Sequence, residues 1–111
     1  VHPMTGLTAN QVRQDGARAD WSSRTWPNTE RIKGHLALFE RYGSDPRAAV
    51  KSSLDALFRS HLGKAPEGLW LERVSADDIV QSQNAPASTL YHLFLAFSEL
   101  LRLRPALERM P

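Results

Sequence analysis

The chain has 111 residues, 41% hydrophobic and 23% charged, no cysteine, and a formal net charge of +2 from 14 basic and 12 acidic side chains that interleave along its length. This is the make-up of one soluble globular domain, and it excludes a disulfide frame, a thiolate nucleophile, a cysteine zinc site and a basic nucleic-acid patch. No apolar run approaches the roughly 20 residues that cross a bilayer, so the expected setting is the cytoplasm, with no membrane and no nucleic acid among the partners.

Residues 1–26 lack helical periodicity, but Asp15-Gly16 between Asn10-Gln11-Val12-Arg13 and Ala17-Arg18-Ala19-Asp20 is a hairpin turn signal. A first helix is predicted over 28–42. It opens near Pro27, whose missing N–H suits a first helical turn, carries an apolar stripe of Ile32, Leu36 and Phe39, and closes at Gly43. Asp45-Pro46 opens a second helix over 46–62, with Val50, Leu54, Leu57, Phe58 and Leu62 at helical spacing before Gly63. The short connection makes the two helices antiparallel. Gly68-Leu69-Trp70-Leu71-Glu72-Arg73-Val74 reads as an extended arm and polar residues 75–84 as a loop, followed by a third helix over 88–104 that Pro105 stops.

A faint repeat links these parts. Gly6-Leu7, Val12 and Asp15 recur as Gly68-Leu69, Val74 and Asp77, and in each copy a loop then leads to a proline-opened helix, at Pro27 and at Pro86. A unit of arm, loop, inner helix and outer helix is what a ring of stacked helical hairpins requires. The second copy ends after its inner helix, so the free face of that helix should seek a partner. The termini, Val1-His2-Pro3-Met4 and Glu108-Arg109-Met110-Pro111, suggest the C-terminal piece of a larger protein.

The tract from Ala85 to Leu101 is almost wholly apolar and carries one imidazole, His92, near its helix start. The positive end of the helix dipole disfavours imidazolium there, and a neutral imidazole is a competent base; the same pattern also suits a satisfied core histidine. Trp26 and Glu30, four residues apart, share a helix face next to Arg24. An indole face stacks on sugar C–H surfaces while the charged groups take hydroxyls or phosphate. Equally, Trp26 would serve as a hydrophobic staple and Glu30 as a partner of the helix dipole. Trp70 and Trp21 lie in the two arms and suit a pocket wall. His35 is mid-helix, His61 sits at a helix C-terminus and His2 is terminal. No pair has metal-ligand spacing, and GxSxG, P-loop and GxGxxG patterns are absent, so neither a metal nor another cofactor is expected.

Arg24-Thr25-Trp26-Pro27-Asn28-Thr29-Glu30 with Ile32-Lys33-Gly34-His35-Leu36-Ala37-Leu38, Gly68-Leu69-Trp70-Leu71-Glu72-Arg73, and Ala85-Pro86-Ala87-Ser88-Thr89-Leu90-Tyr91-His92 together resemble the C-terminal third of the N-acylglucosamine 2-epimerase family. That family includes mannose isomerases, cellobiose 2-epimerases and proteins named as mannose-6-phosphate isomerases. The resemblance implies an all-α fold, a fragment of an alpha/alpha barrel of helical hairpins with short extended arms. Residues 1–111 would form a single domain, the C-terminal part of a larger catalytic barrel.

It also implies metal-independent proton transfer at C2 of an aldose by two histidines on inner helices, of which His92 matches the C-terminal one. Trp26 and Glu30 match pocket-lining residues, Ser88 matches a polar substrate contact, and Trp70 matches an aromatic in the preceding arm. Arg24 stands at the same pocket. The partner histidine, with its glutamate and arginine, has no counterpart here, so the chain should not catalyse alone. The implied substrate is a monosaccharide of the mannose, fructose or N-acylglucosamine type, or its 6-phosphate if Arg18, Arg24, Arg31 and Lys33 hold the anion. Other implied partners are the rest of the barrel and a second copy in a homo-oligomer. The competing class is a non-catalytic helical interaction module, with α-helical apolar surface as its binding face. The catalytic reading requires Trp26, Glu30 and His92 to converge on one cavity.

Overall fold

The computed structural model describes residues 1–82 and 84–111. Gln83, inside the expected loop 75–84, lies outside the described residues. In chain order, a hairpin of β1 (Gln11–Val12) and β2 (Arg18–Asp20) is followed by β3 (Ser23–Arg24) and α1 (Thr25–Tyr42). Next come α2 (Arg47–Leu57), a π-helical turn (Phe58–Leu62), β4 (Arg73–Val74), β5 (Val80–Ser82) and α3 (Ala87–Glu108). The described chain is thus helix-rich, with short strands forming two small antiparallel sheets, β1-β2 and β3-β4-β5. No described helix is long and apolar enough to cross a membrane.

Local chemistry explains most boundaries. The hairpin closes where expected, with Gly16 at φ +84° donating its N–H to the Arg13 carbonyl. α1 starts at Thr25, before Pro27, because the Thr25 N–H is taken by the Glu72 carbonyl of the second arm; Pro27 still falls in the first turn, where it breaks no helical hydrogen bond. Gly43 caps α1 in the left-handed region and donates to the Phe39 carbonyl. The second helix departs from regular α geometry at Phe58, and its π-turn is closed by the Gly63 N–H on the Phe58 carbonyl at 2.6 Å. A Cβ at position 63 would lie 2.7 Å from that oxygen, so the turn requires glycine.

Two expectations are corrected. The predicted loop 75–84 contains β5, which pairs with β4 in a short hairpin that the polar segment does not announce, because Asp78 and not glycine takes the left-handed turn position. Pro105 does not stop α3, which runs on to Glu108. The carbonyl that loses its helical donor belongs to Leu101, one turn back on the exposed side of the helix.

The repeat is real in three dimensions. β1, β2 and α1 recur as β4, β5 and α3 at a 62-residue offset, each strand pair has an irregularity in the same place, and Gly6, Gly16, Gly68 and Asp78 take positive φ at matched positions. Glu30 hydrogen-bonds His92 and Glu40 hydrogen-bonds Arg102, and both pairs are 62 residues apart. Two contacts at one offset mean that α1 and α3 run parallel. The core lies between them and α2, built from Ile32, Leu36, Val50, Leu57, Trp70, Leu93 and Leu103.

Candidate functional site

The parallel pairing of α1 and α3 brings their N-terminal turns together over the small β3-β4-β5 sheet. Asn28 anchors the first: its side-chain amide donates to Ser23 Oγ and the Arg24 carbonyl, and its oxygen accepts the Thr8 N–H. Glu72 ties the two helices to each other. Its backbone carbonyl holds the Thr25 N–H at the start of α1, and its Oε2 accepts the hydroxyl of Thr89, one turn before His92 on α3, at 2.8 Å.

Within this frame His92 Nδ1 lies 2.7 Å from Glu30 Oε1. A carboxylate only accepts, so the shared proton belongs to Nδ1, and in the neutral ring Nε2 is the acceptor. Lys33 Nζ reaches the same Glu30 oxygen at 2.8 Å. Burial pushes the Glu30 carboxyl up, but hydrogen bonds and charge from Lys33 and His92 outweigh it and hold the group below its ordinary value. The Trp26 indole covers the imidazole, with ring centroids 5.5 Å apart and planes inclined by 35°. Tyr91 meets the same ring edge-on at 5.2 Å.

His92 and Trp26 open onto a cleft of about 510 Å³ also lined by Arg24, Glu72, Arg73, Ser82, Ser88 and Thr89. Trp26 and His92 therefore open onto one cleft although they come from two helices far apart in sequence, and Arg24 and Ser88 line it too; Glu30 bonds His92 from behind and is not among the residues that line the cleft. Trp70 does not. It is buried in the core and walls a separate cavity of about 340 Å³ with Leu69, Val80 and Ala85. The extended arm turns its indole inward, where it fills space between the helices, and this corrects the expectation that Trp70 is a substrate-binding wall of the cleft.

Of the four cations expected to serve a phosphate, Arg24 alone lines the cleft. Arg31 donates to the Gly6 carbonyl, Lys33 is held by Glu30, and the Arg18 guanidinium lies 5.7 Å from the Trp21 ring centroid. Sequence reasoning passed over Glu72 and Arg73 as site residues. The signal was their position: they end the arm whose copy precedes the first helix, so the repeat already directed them toward the helix N-termini.

The sequence profile of the N-acylglucosamine 2-epimerase (GlcNAc 2-epimerase) family matches residues 3–96. A protein of Rhizobium meliloti (strain 1021) named mannose-6-phosphate isomerase is 34% identical over 89 residues, which cover 78% of this chain and 23% of that relative. No solved structure matches the chain. The chain thus spans about a quarter of the length of the relative it matches, and the match over nearly its whole length establishes that it belongs to the N-acylglucosamine 2-epimerase family.

Proposed function

We propose that this chain carries half of the proton-transfer site of a sugar isomerase or 2-epimerase, with His92 as the group that moves the proton at C2 of an aldose. The observation that carries this reading is the 2.7 Å hydrogen bond from His92 Nδ1 to Glu30, which fixes one tautomer and leaves Nε2 as the basic nitrogen beside a cleft walled by an indole. In the reaction Nε2 takes the proton from C2. The C–H electron pair forms the C1–C2 double bond of an enediol, and the carbonyl oxygen gains a proton from an acid. Delivery of a proton to C1, with the O2 hydroxyl giving up its proton to a base, gives the ketose; delivery to the opposite face of C2 by a second acid–base group, with O1 giving up its proton, gives the epimer. Glu30 holds the ring and offsets the charge of the imidazolium that forms, a role of positioning and electrostatics. Trp26 offers an apolar face to sugar C–H groups, and Ser88 a hydroxyl partner.

The second acid–base group is assigned to the rest of a larger alpha/alpha barrel, of which these residues would form one hairpin and a half. Support comes from the repeat. On α3, Tyr91 and Phe94 are 61% and 68% exposed, yet their counterparts on α1, Thr29 and Ile32, are at most 1% exposed beside α2. A helix placed on α3 as α2 is on α1 would cover them. The same apolar face favours the competing reading, a helical interaction module without catalysis.

One experiment separates them. In the full-length protein, His92→Asn should abolish exchange of the C2 hydrogen with deuterated buffer while the melting transition is kept, because the amide cannot accept and return a proton near neutral pH. Near-normal exchange per folded molecule would remove His92 from the reaction.

A further inference from the structure

Glu30 Oε1 serves two donors at once. His92 Nδ1 lies 2.7 Å from it and Lys33 Nζ, three residues further along α1, lies 2.8 Å from it, so the two nitrogens stand within about 6 Å of each other. The side chains of Glu30, His92 and Lys33 are 39%, 29% and 23% exposed, so solvent and salt screen their charges only in part. With the ring neutral, carboxylate and ammonium cancel. A proton added at Nε2 leaves the cluster with a net positive charge.

That balance matters to a base. A carboxylate bonded to a histidine favours imidazolium, the form that cannot accept a proton, whereas a cation at this distance disfavours it. Glu30 alone would orient the ring and also favour its protonated form; Lys33 offsets the second effect and leaves the first. The other pair at the same offset is built differently, since Arg102 binds both oxygens of Glu40 and also Glu99, two carboxylates on one cation. An ammonium on the shared carboxylate belongs to the turn that meets His92.

The remaining charges that face His92 come from the small sheet. Arg24 of β3, Arg73 of β4 and the adjoining Glu72 line the same cleft, and Arg73 is paired with Asp20 at 3.0 Å, so these four charges sum to zero. Gln81 and Ser82 of β5 add none, and on α3 itself the neighbour of the ring is the phenol of Tyr91.

We propose that Lys33 is a positioning residue of the proton-transfer site: by sharing Glu30 Oε1 with His92, its ammonium keeps the imidazole in the neutral form that accepts a proton. The consequence for catalysis rests on the proton-transfer reading, while the charge coupling between Lys33 and His92 stands on the shared oxygen. A lysine serving only as a surface pair within α1 would add a little stability and leave the protonation of His92 where it is.

The test uses the full-length protein and two readouts across pH. The imidazole of His92 is followed by NMR through its ring signals, assigned by their loss in His92→Asn, and C2 exchange of mannose and of mannose 6-phosphate is followed in deuterated buffer. In Lys33→Met, which keeps the aliphatic stem, the imidazole titration and the acid limb of the exchange profile should both move to higher pH by about 0.5–1.5 units. Lys33→Arg, which keeps the charge, should restore the wild-type midpoints. Lys51→Met, which removes an exposed charge paired with Asp55 on α2, should leave them in place. Melting transitions check each fold, and Lys33→Gln repeats the measurement if methionine destabilises the protein. An imidazole titration that Lys33→Met leaves in place, or that Lys51→Met moves as far, overturns the proposal. Slower exchange in Lys33→Met with both midpoints unmoved also overturns it, since a purely structural contact acts that way. A shifted imidazole titration without C2 exchange by wild type supports the charge coupling and defeats the proton-transfer reading instead.

Discussion

Glu30 and His92 occupy the same position in two successive copies of one structural unit, and they meet through a hydrogen bond of 2.7 Å across a separation of 62 residues. Ten residues further along, Glu40 and Arg102 repeat the relationship near the other end of the same two helices. The repeated arm-and-helix unit thus differs between its copies so that one supplies the imidazole and the other its carboxylate and its indole cover.

Glu30→Gln keeps the size of the side chain but removes its charge, and the amide can present a donor to Nδ1 and stabilise the wrong tautomer. C2 exchange by the full-length protein should fall by about 10- to 100-fold with the melting transition little changed, as for other partners that orient a reactive histidine. Exchange kinetics on wild type and variant check this, and a rate within twofold of wild type would exclude Glu30 from orienting His92.

Trp26→Ala removes the indole that covers His92 and faces the cleft. KM for the sugar should rise by roughly 5- to 50-fold, equivalent to about 1–2 kcal/mol of lost stacking, and Trp26→Phe should recover most of it. Steady-state kinetics on the two variants make the comparison.

His61 predicts a pH effect on stability that is separate from catalysis. The ring is fully buried at the π-turn, with Nδ1 donating to the Leu71 carbonyl at 2.6 Å and lying 3.0 Å from Thr25 Oγ1. Burial pushes its pKa below the ordinary 6.5, and the hydrogen bond to Leu71 only partly opposes this. The folded state therefore keeps the ring neutral where the unfolded chain takes up a proton. Stability is fully present above about pH 6.5 and declines as the pH falls from there toward the lower folded value. Denaturant midpoints at pH 7.5 and pH 5 should differ in that sense, and His61→Gln should flatten the difference while costing about 1–3 kcal/mol at pH 7.5 from disrupted buried hydrogen bonds. A second loss belongs to more acid conditions: hydrogen bonds from Asn10 and Ser22 hold Asp20 down to about 2, so its contribution goes only as the pH falls below its ordinary 3.8.

Ile32→Ala opens a cavity where α1 meets the core, at a side chain 1% exposed. The expected cost is about 2–5 kcal/mol, read as a lower midpoint in denaturant, with exchange per folded molecule retained because the substitution touches none of the cleft groups.

Elements whose cause is local were readable in the amino-acid order. The stripe of Ile32, Leu36 and Phe39, the left-handed stop at Gly43, the turn at Asp15-Gly16 and the closure of the second helix at Gly63 each depend on residues within a turn or two of one another. The repeat was readable for a related reason: a copied unit leaves the same punctuation twice. β5 was not, because its short segment carries no apolar alternation and Asp78 replaces glycine in the turn, nor was the passage of α3 through Pro105, since a proline can be carried inside a helix when its side of the helix is exposed. Trp70 looked like pocket wall because a side chain's direction from an extended arm is set by what packs against it, and here the core takes it. The residue types of the site were legible, but their assembly was not. Only the parallel packing of α1 on α3 puts Glu30 against His92, and only the register of β3 on β4 sets Arg24 beside Arg73, since both are long-range choices made by burial and backbone pairing and not by neighbours in the chain.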